Sequence, residues 1–225
     1  MVRISSVSED RAMRGLARLA LKGVALVGVL WTAGPAEAHP HVWIDADATV
    51  VLGPAGQITA LDVTWTFDEL YSEDTVIAVE GRTSADLRPL VTEAVHNLVP
   101  WLYFTDLRAD GIRQTFGPVE AYDAHWRDGR LIYAFTLPLT RPVDPIAETV
   151  ELRLYDPTYY IDIAVPEDRA VTLRPSDAAC SVTRSPAPEQ PNFMVLSDAY
   201  QSVVVEPGED GIGYAYAEIW RVTCP

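Results

Sequence analysis

From His41 to Leu52 the chain alternates with a period of two, and this alternation constrains the fold more than any other feature. Val42, Ile44, Ala46 and Ala48 share one face of an extended segment, while His41, Trp43, Asp45 and Asp47 share the other. That period predicts a half-buried β-strand. Gly53-Pro54-Ala55-Gly56 supplies turn chemistry. The following segment, Gln57 to Phe67, returns with Ile58, Leu61, Val63, Trp65 and Phe67 as its apolar set. A hairpin is the simplest connection between two such segments.

Later strands are predicted over 103–108, 112–121, 130–137, 148–155 and 159–165. Turns fall at Asp110-Gly111, Asp128-Gly129, Pro138 to Pro145 and Asp156-Pro157, and Tyr214 to Cys224 reads as a last strand. Two helical segments interrupt the pattern. Ser72 reads as the cap of a short helix over Val76 to Glu80, and Ser84 as the cap of a longer one with Asp86 in its first turn. Leu87, Leu90, Val91, Ala94, Val95 and Leu98 then form an apolar stripe at helical spacing. Residues 185–191 read as a loop, 194–201 as a short helix, and 208–213 as a flexible acidic loop. The fold class implied is α+β: a mainly antiparallel β-sheet or sandwich with one or two helices packed on it.

The N-terminus has the three parts of a secretory signal. Arg3, Arg11, Arg14, Arg18 and Lys22 form a basic region, Gly23 to Trp31 a short apolar core, and Ala36-Glu37-Ala38 an A-x-A cleavage site. No later stretch approaches transmembrane length. Residues 1–38 are therefore read as a signal peptide, and 39–225 as a single periplasmic β-rich domain. The signal carries five basic and three acidic side chains, so its removal takes the formal charge from −15 to −17. A surface this acidic argues against nucleic acid and anionic membranes as partners. The two cysteines, Cys180 and Cys224, are an even, small count in an exported chain and suggest one disulfide.

Cleavage after Ala38 would leave His39-Pro40-His41-Val42-Trp43-Ile44-Asp45 as the new start. The α-amino group and the imidazole of His39 could then chelate a metal together. His41 stands two residues on and, in an extended segment, on the same side. These residues hold two of the chain's four histidines. Pro40 has no N–H to lose, which excludes the square-planar amino-terminal site that needs a deprotonated second amide. Imidazole suits zinc, copper and nickel alike. His96 falls between the apolar positions of its helix and reads as a surface or boundary residue. His125, just before the Arg127-Asp128-Gly129 turn, is either an exposed loop residue or a ligand brought in from the far side of the sheet. Asp156 and the tyrosines around it read first as turn chemistry and core edge, and second as support for a site at the sheet rim.

The segment His39 to Asp45 resembles the opening of a family of exported proteins of unassigned biochemical function, described as periplasmic components of a transport system and including the ZevA proteins linked to zinc acquisition. Further matches run through the chain. They are Trp65-Thr66-Phe67-Asp68-Glu69, Tyr71-Ser72, Tyr103-Phe104-Thr105, Leu137-Pro138-Leu139, Tyr155-Asp156-Pro157-Thr158-Tyr159, the two late cysteines, and Gly211-Ile212-Gly213. The resemblance implies a partner permease of the nickel/cobalt exporter type, with zinc, nickel or cobalt as the cargo.

The function expected is a non-enzymatic, divalent transition-metal-binding accessory protein of such a permease, with zinc the leading candidate and nickel, cobalt or copper also compatible. His39 and His41 are the core ligands, and His125, Asp68, Glu69 and Asp156 are candidates to complete the shell. Two alternatives stand beside it. One is a copper redox enzyme built on an amino-terminal histidine brace. The other is a metal-free interaction subunit of a membrane transporter.

Overall fold

The computed structural model describes residues 38–176, 179–187, 194–195 and 204–225. The signal-peptide reading and most of the helix expected at 194–201 lie outside them. The folded unit runs from Ala38 to Pro225. Its strands are β1 (Ala38–His39), β2 (Val42–Leu52), β3 (Ile58–Phe67), β4 (Thr105–Ala109), β5 (Ile112–Arg113), β6 (Tyr122–Arg127), β7 (Arg130–Val143), β8 (Val150–Leu154), β9 (Ile161–Ala164), β10 (Thr172–Arg174), β11 (Ser181–Ser185), β12 (Met194–Val195) and β13 (Ile219–Thr223). The helices are α1 (Glu69–Thr75), α2 (Ser84–Asn97) and the single turn α3 (Gly213–Tyr216).

One sheet runs β10-β2-β3-β7-β6, with β9 sharing the edge of β2 that also holds β10. The second runs β11-β13-β8-β4-β5, and β1 pairs with β12 apart from both. Most pairings are antiparallel, as expected. The exceptions are β9 and β10, which pair with β2 in parallel at Val42↔Ile161 and Thr49↔Thr172. The alternation of β2 falls as its sequence predicts: Val42, Ile44, Ala46, Ala48 and Val50 are buried. Both sheets contribute to one apolar cluster, which joins these residues to Leu107, Val150, Leu152, Trp220 and Val222. Cys180 and Cys224 form the disulfide beside the β11–β13 pair.

Several local expectations are corrected. The first helix starts earlier than the Ser72 cap implies. Asp68, in extended conformation, is the true N-cap and accepts the Tyr71 amide at 2.9 Å. Ser72 lies inside α1, buried, donating to the Asp68 carbonyl at 2.6 Å and accepting the Leu131 amide at 2.9 Å. The second helix is capped by Thr83 rather than Ser84, in a capping box with Asp86. Residues 122–127, assigned to no strand by the sequence, form β6 and carry His125. A two-residue Asp128-Gly129 hairpin turn, with positive φ at both positions, joins it to β7.

Strand β7 also continues through Pro138 instead of turning there. The amides of Thr136 and Thr140 point to the edge shared with β6, so the missing N–H of Pro138 falls on that same edge. By then β6 has already ended. Tyr214 to Tyr216 belongs to α3, leaving the last strand at Ile219–Thr223. The loop read as flexible over 208–213 is tied down, because Asp210 pairs with Arg108 and Arg113 and the Gly208 carbonyl accepts from Arg113.

Candidate functional site

The His-Pro-His segment is held by backbone on both sides. His39 in β1 pairs with Met194 of β12, and the His41 amide donates to the Tyr160 carbonyl at 2.9 Å. A bend at His41 separates β1 from β2, so the two histidines do not share one continuous strand. The His41 side chain is exposed and its ring lies against Tyr160, with centroids 4.7 Å apart. Tyr160 precedes β9, whose parallel pairing with β2 brings it in from 119 positions away. No local sequence signal announces that contact.

Three of the expected shell residues come to this end of β2. Asp68 faces Trp43: its amide donates to the Trp43 carbonyl at 2.9 Å, and its Oδ2 accepts the Trp43 amide at 3.0 Å. With Oδ1 taken by the Tyr71 amide, both carboxylate oxygens serve backbone N–H groups. Asp156 is buried. It accepts the Thr158 amide at 2.9 Å, the Ile161 amide at 3.0 Å and the Thr158 hydroxyl. These are turn-anchoring bonds of a carboxylate to local N–H groups. Glu69 differs from both: it is exposed at the start of α1, and its carboxylate makes no hydrogen bond or ion pair among the described residues.

His125 is not brought to this place. The pairings Asp45↔Thr66, Thr66↔Ile132 and Ile132↔His125 put it in one row across four strands. Three strand steps are about 14 Å, and His41 lies four residues further along β2. Zinc–imidazole bonds of about 2 Å cannot bridge such a gap. His125 instead meets the Ser84 hydroxyl through Nδ1 at 3.0 Å and lies 3.7 Å from Asp123. It lines a polar groove of about 660 Å³ with Asp47, Arg130 and Arg169. His96 is exposed near the end of α2, with Nδ1 2.7 Å from the Thr92 carbonyl.

Gly211 and Gly213, whose role the sequence did not reveal, close the other side of the Asp156 turn. A Cβ on Gly213 would stand 1.9 Å from the Asp156 carbonyl oxygen, and one on Gly211 2.1 Å from that of Pro157. Gly211 also has a φ of +60°, which glycine adopts without strain. The segments His39–Asp45, Phe67–Glu69, Tyr155–Tyr160 and Gly211–Gly213, far apart in sequence, thus meet in one chain of contacts. Among the described residues no three His, Cys, Asp or Glu side chains lie close enough to hold one metal ion.

These features define a disulfide-closed, mixed-β domain with an anchored histidine segment at the end of its central hairpin. The chain belongs to the family described as a protein of unknown function, DUF1007, whose model matches residues 24–224. An uncharacterized protein of Haemophilus influenzae is 28% identical over 184 residues, covering 80% of this chain and 79% of that one.

Proposed function

We propose that the mature chain is a periplasmic accessory protein that binds a divalent transition metal at its amino terminus and exchanges it with a membrane permease. One observation carries the reading: backbone pairing steadies the two-histidine segment on both flanks while the His41 imidazole stays exposed. A transfer site needs that combination, since a loose terminus would have to be ordered at an entropic cost and a closed shell would not release its ion. The donors are the His39 amine and imidazole and the His41 imidazole, with Glu69 as the carboxylate whose oxygens are not committed to backbone. Asp68 and Asp156 position the segment, and His125 lies outside the shell. The disulfide fits an oxidising compartment. No helix among the described residues is long and apolar enough to cross a membrane, which fits a partner to a permease.

Intact mass and native metal analysis of the exported protein test this directly. The expected product begins at His39 and carries a bound zinc, nickel, cobalt or copper ion. A product that begins elsewhere removes the amine from the site. A product that begins at His39, arrives metal-free and shows no melting shift with any of the four ions overturns the proposal.

A further inference from the structure

The disulfide stands at the wall of an open groove. Cys180 and Cys224, each only half-buried, line a space of about 550 Å³ together with Leu52, Pro54, Ile146 and Pro225. None of the described residues that line it is charged. The species that attacks a disulfide is a thiolate. On a chain of net charge −15, an uncharged lining is where an anion meets least repulsion.

The same bond pins an edge strand. Among the described residues β13 is the one strand paired with β11 in its sheet. No residue of β11 is buried, and Val182 is its only apolar side chain. Little apolar surface therefore holds β11 in place. Its ladder to β13 and the pairing of Arg184 with Glu218 do so instead, and Cys180–Cys224 extends that ladder one position beyond Ser181↔Thr223. While the crosslink stands, a frayed β11 stays beside its partner and closes again. Once it is cut, β11 peels from the Cys180 end and releases the chain that leads to β12, which pairs with His39.

We propose that this disulfide is a thiol-exchange site: a dithiol entering the groove reduces it in the folded protein and frees β11, and with it β12. One thiolate of the dithiol attacks a cysteine sulfur, forms a mixed disulfide and displaces the other cysteine as a thiolate, which takes up a proton. The second thiol of the reductant gives up its proton and displaces the first cysteine, closing the reductant's own disulfide. Two electrons pass from the dithiol to Cys180 and Cys224, which end as thiols. Release of β12 loosens the flank of His39 and weakens the amino-terminal site. Only that consequence rests on the metal reading, and the test involves no metal.

The probe is dithiothreitol on the purified exported chain, with released thiols trapped by iodoacetamide and counted by mass. Below the urea unfolding transition the reduction rate is independent of urea, because the folded protein is attacked. Ile146 is 69% exposed and tolerates a charge. At low salt Ile146→Lys speeds reduction and Ile146→Glu slows it, each about threefold, the value in water of a unit charge roughly 6 Å from the path. After reduction the amides of β11 and β12 lose protection from exchange while those of β3 keep it. A rate that climbs with urea from the first addition, as global unfolding requires, overturns the proposal. Equal rates in the two Ile146 variants, or unchanged exchange in β11, overturn it as well. Loss of protection in β3 does the same, since the crosslink would then support the whole fold and not one strand.

Discussion

Two neighbouring regions of this molecule treat polar groups in opposite ways. Around Asp156 both carboxylate oxygens are buried and accept hydrogen bonds, and the Gly211–Gly213 backbone closes over the turn. Around His41 only the backbone is fixed, while the imidazole faces outward against Tyr160. Tyr160 belongs to both, because its amide approaches Thr158 at 3.3 Å and its carbonyl holds His41. The difference teaches that acidic residues near a histidine segment need not be its ligands. Here the turn spends its carboxylate on rigidity, and that rigidity carries the histidine.

The largest effect is expected where the contrast is most literal. Gly213→Ala places a methyl group 1.9 Å from the Asp156 carbonyl oxygen. The Gly211–Gly213 segment must withdraw, losing the Gly213 amide bond to Pro157 and the packing of Tyr214 on Tyr155. A loss of about 4–5 kcal/mol is expected, read as collapse of the denaturation midpoint or absence of folded protein. Wild-type stability would show that the closure over the turn is dispensable.

The disulfide comes next. It closes a separation of 44 residues, and β12, the partner of the histidine strand, lies inside that loop. Replacing both cysteines with serine should cost about 4 kcal/mol in the chain-entropy model, measured by urea denaturation. It should also speed amide exchange at His39 more than in β3. Uniform exchange in the two places would detach the loop from the histidine segment.

Asp156→Asn is smaller. The amide keeps the shape but offers one acceptor oxygen where two are used, and turns an NH₂ group toward the Thr158 or Ile161 amide. A loss of about 2 kcal/mol is expected, with Asp68→Asn milder because that carboxylate is only part-buried.

Asp162, beside Trp43 in the β2–β9 pairing, should respond in the other direction. Burial, and behind it the Glu218 carboxylate, raise its pKa above the ordinary carboxyl range. A carboxyl whose folded pKa is raised binds its proton better folded than unfolded. Its stabilising contribution is full at low pH and falls as pH rises through that raised value. Asp162→Asn should therefore raise the melting temperature at neutral pH and leave it unchanged below about pH 3, where both forms are neutral. An equal gain at both pH values would assign the effect to packing instead.

Much of the scaffold was legible in the sequence. The alternation of Val42 to Val50, the Gly-Pro turn and the apolar stripe of α2 each rest on a local period, and a local period survives folding. The strand at Tyr122–Arg127 was not read: its Asp128-Gly129 hairpin turn was seen, but Ala124 and His125 obscured the alternation that leads into it. Helix caps slipped by one to four residues because Thr83, Ser84, Asp68 and Ser72 are all competent caps, and only tertiary contacts choose among them. The site was less legible for a different reason. Tyr160 reaches His41, and Gly213 reaches Asp156, through strand pairing and close packing that carry no signature in nearby residues. Motif likeness collected segments that meet in the fold, but only geometry separates Asp68 and Asp156, which hold the backbone, from Glu69, whose carboxylate makes no hydrogen bond among the described residues.

The smallest effect decides the comparison. If His39 and His41 are carried by the scaffold and are not part of it, replacing both with alanine should change the stability of the metal-free protein by no more than about 0.5 kcal/mol, the range of surface substitutions. The wild type should gain about 2.7 kcal/mol when an ion is present at a hundred times its dissociation constant. The double variant should gain nothing. A metal-free variant destabilised as strongly as Asp156→Asn would make the histidines structural, with the ring of His41 serving Tyr160 as packing. An unchanged metal shift in a well-folded variant would move the ion elsewhere on the chain. Only the paired result, a neutral loss without metal and a complete loss with it, keeps anchor and ligand as separate residues.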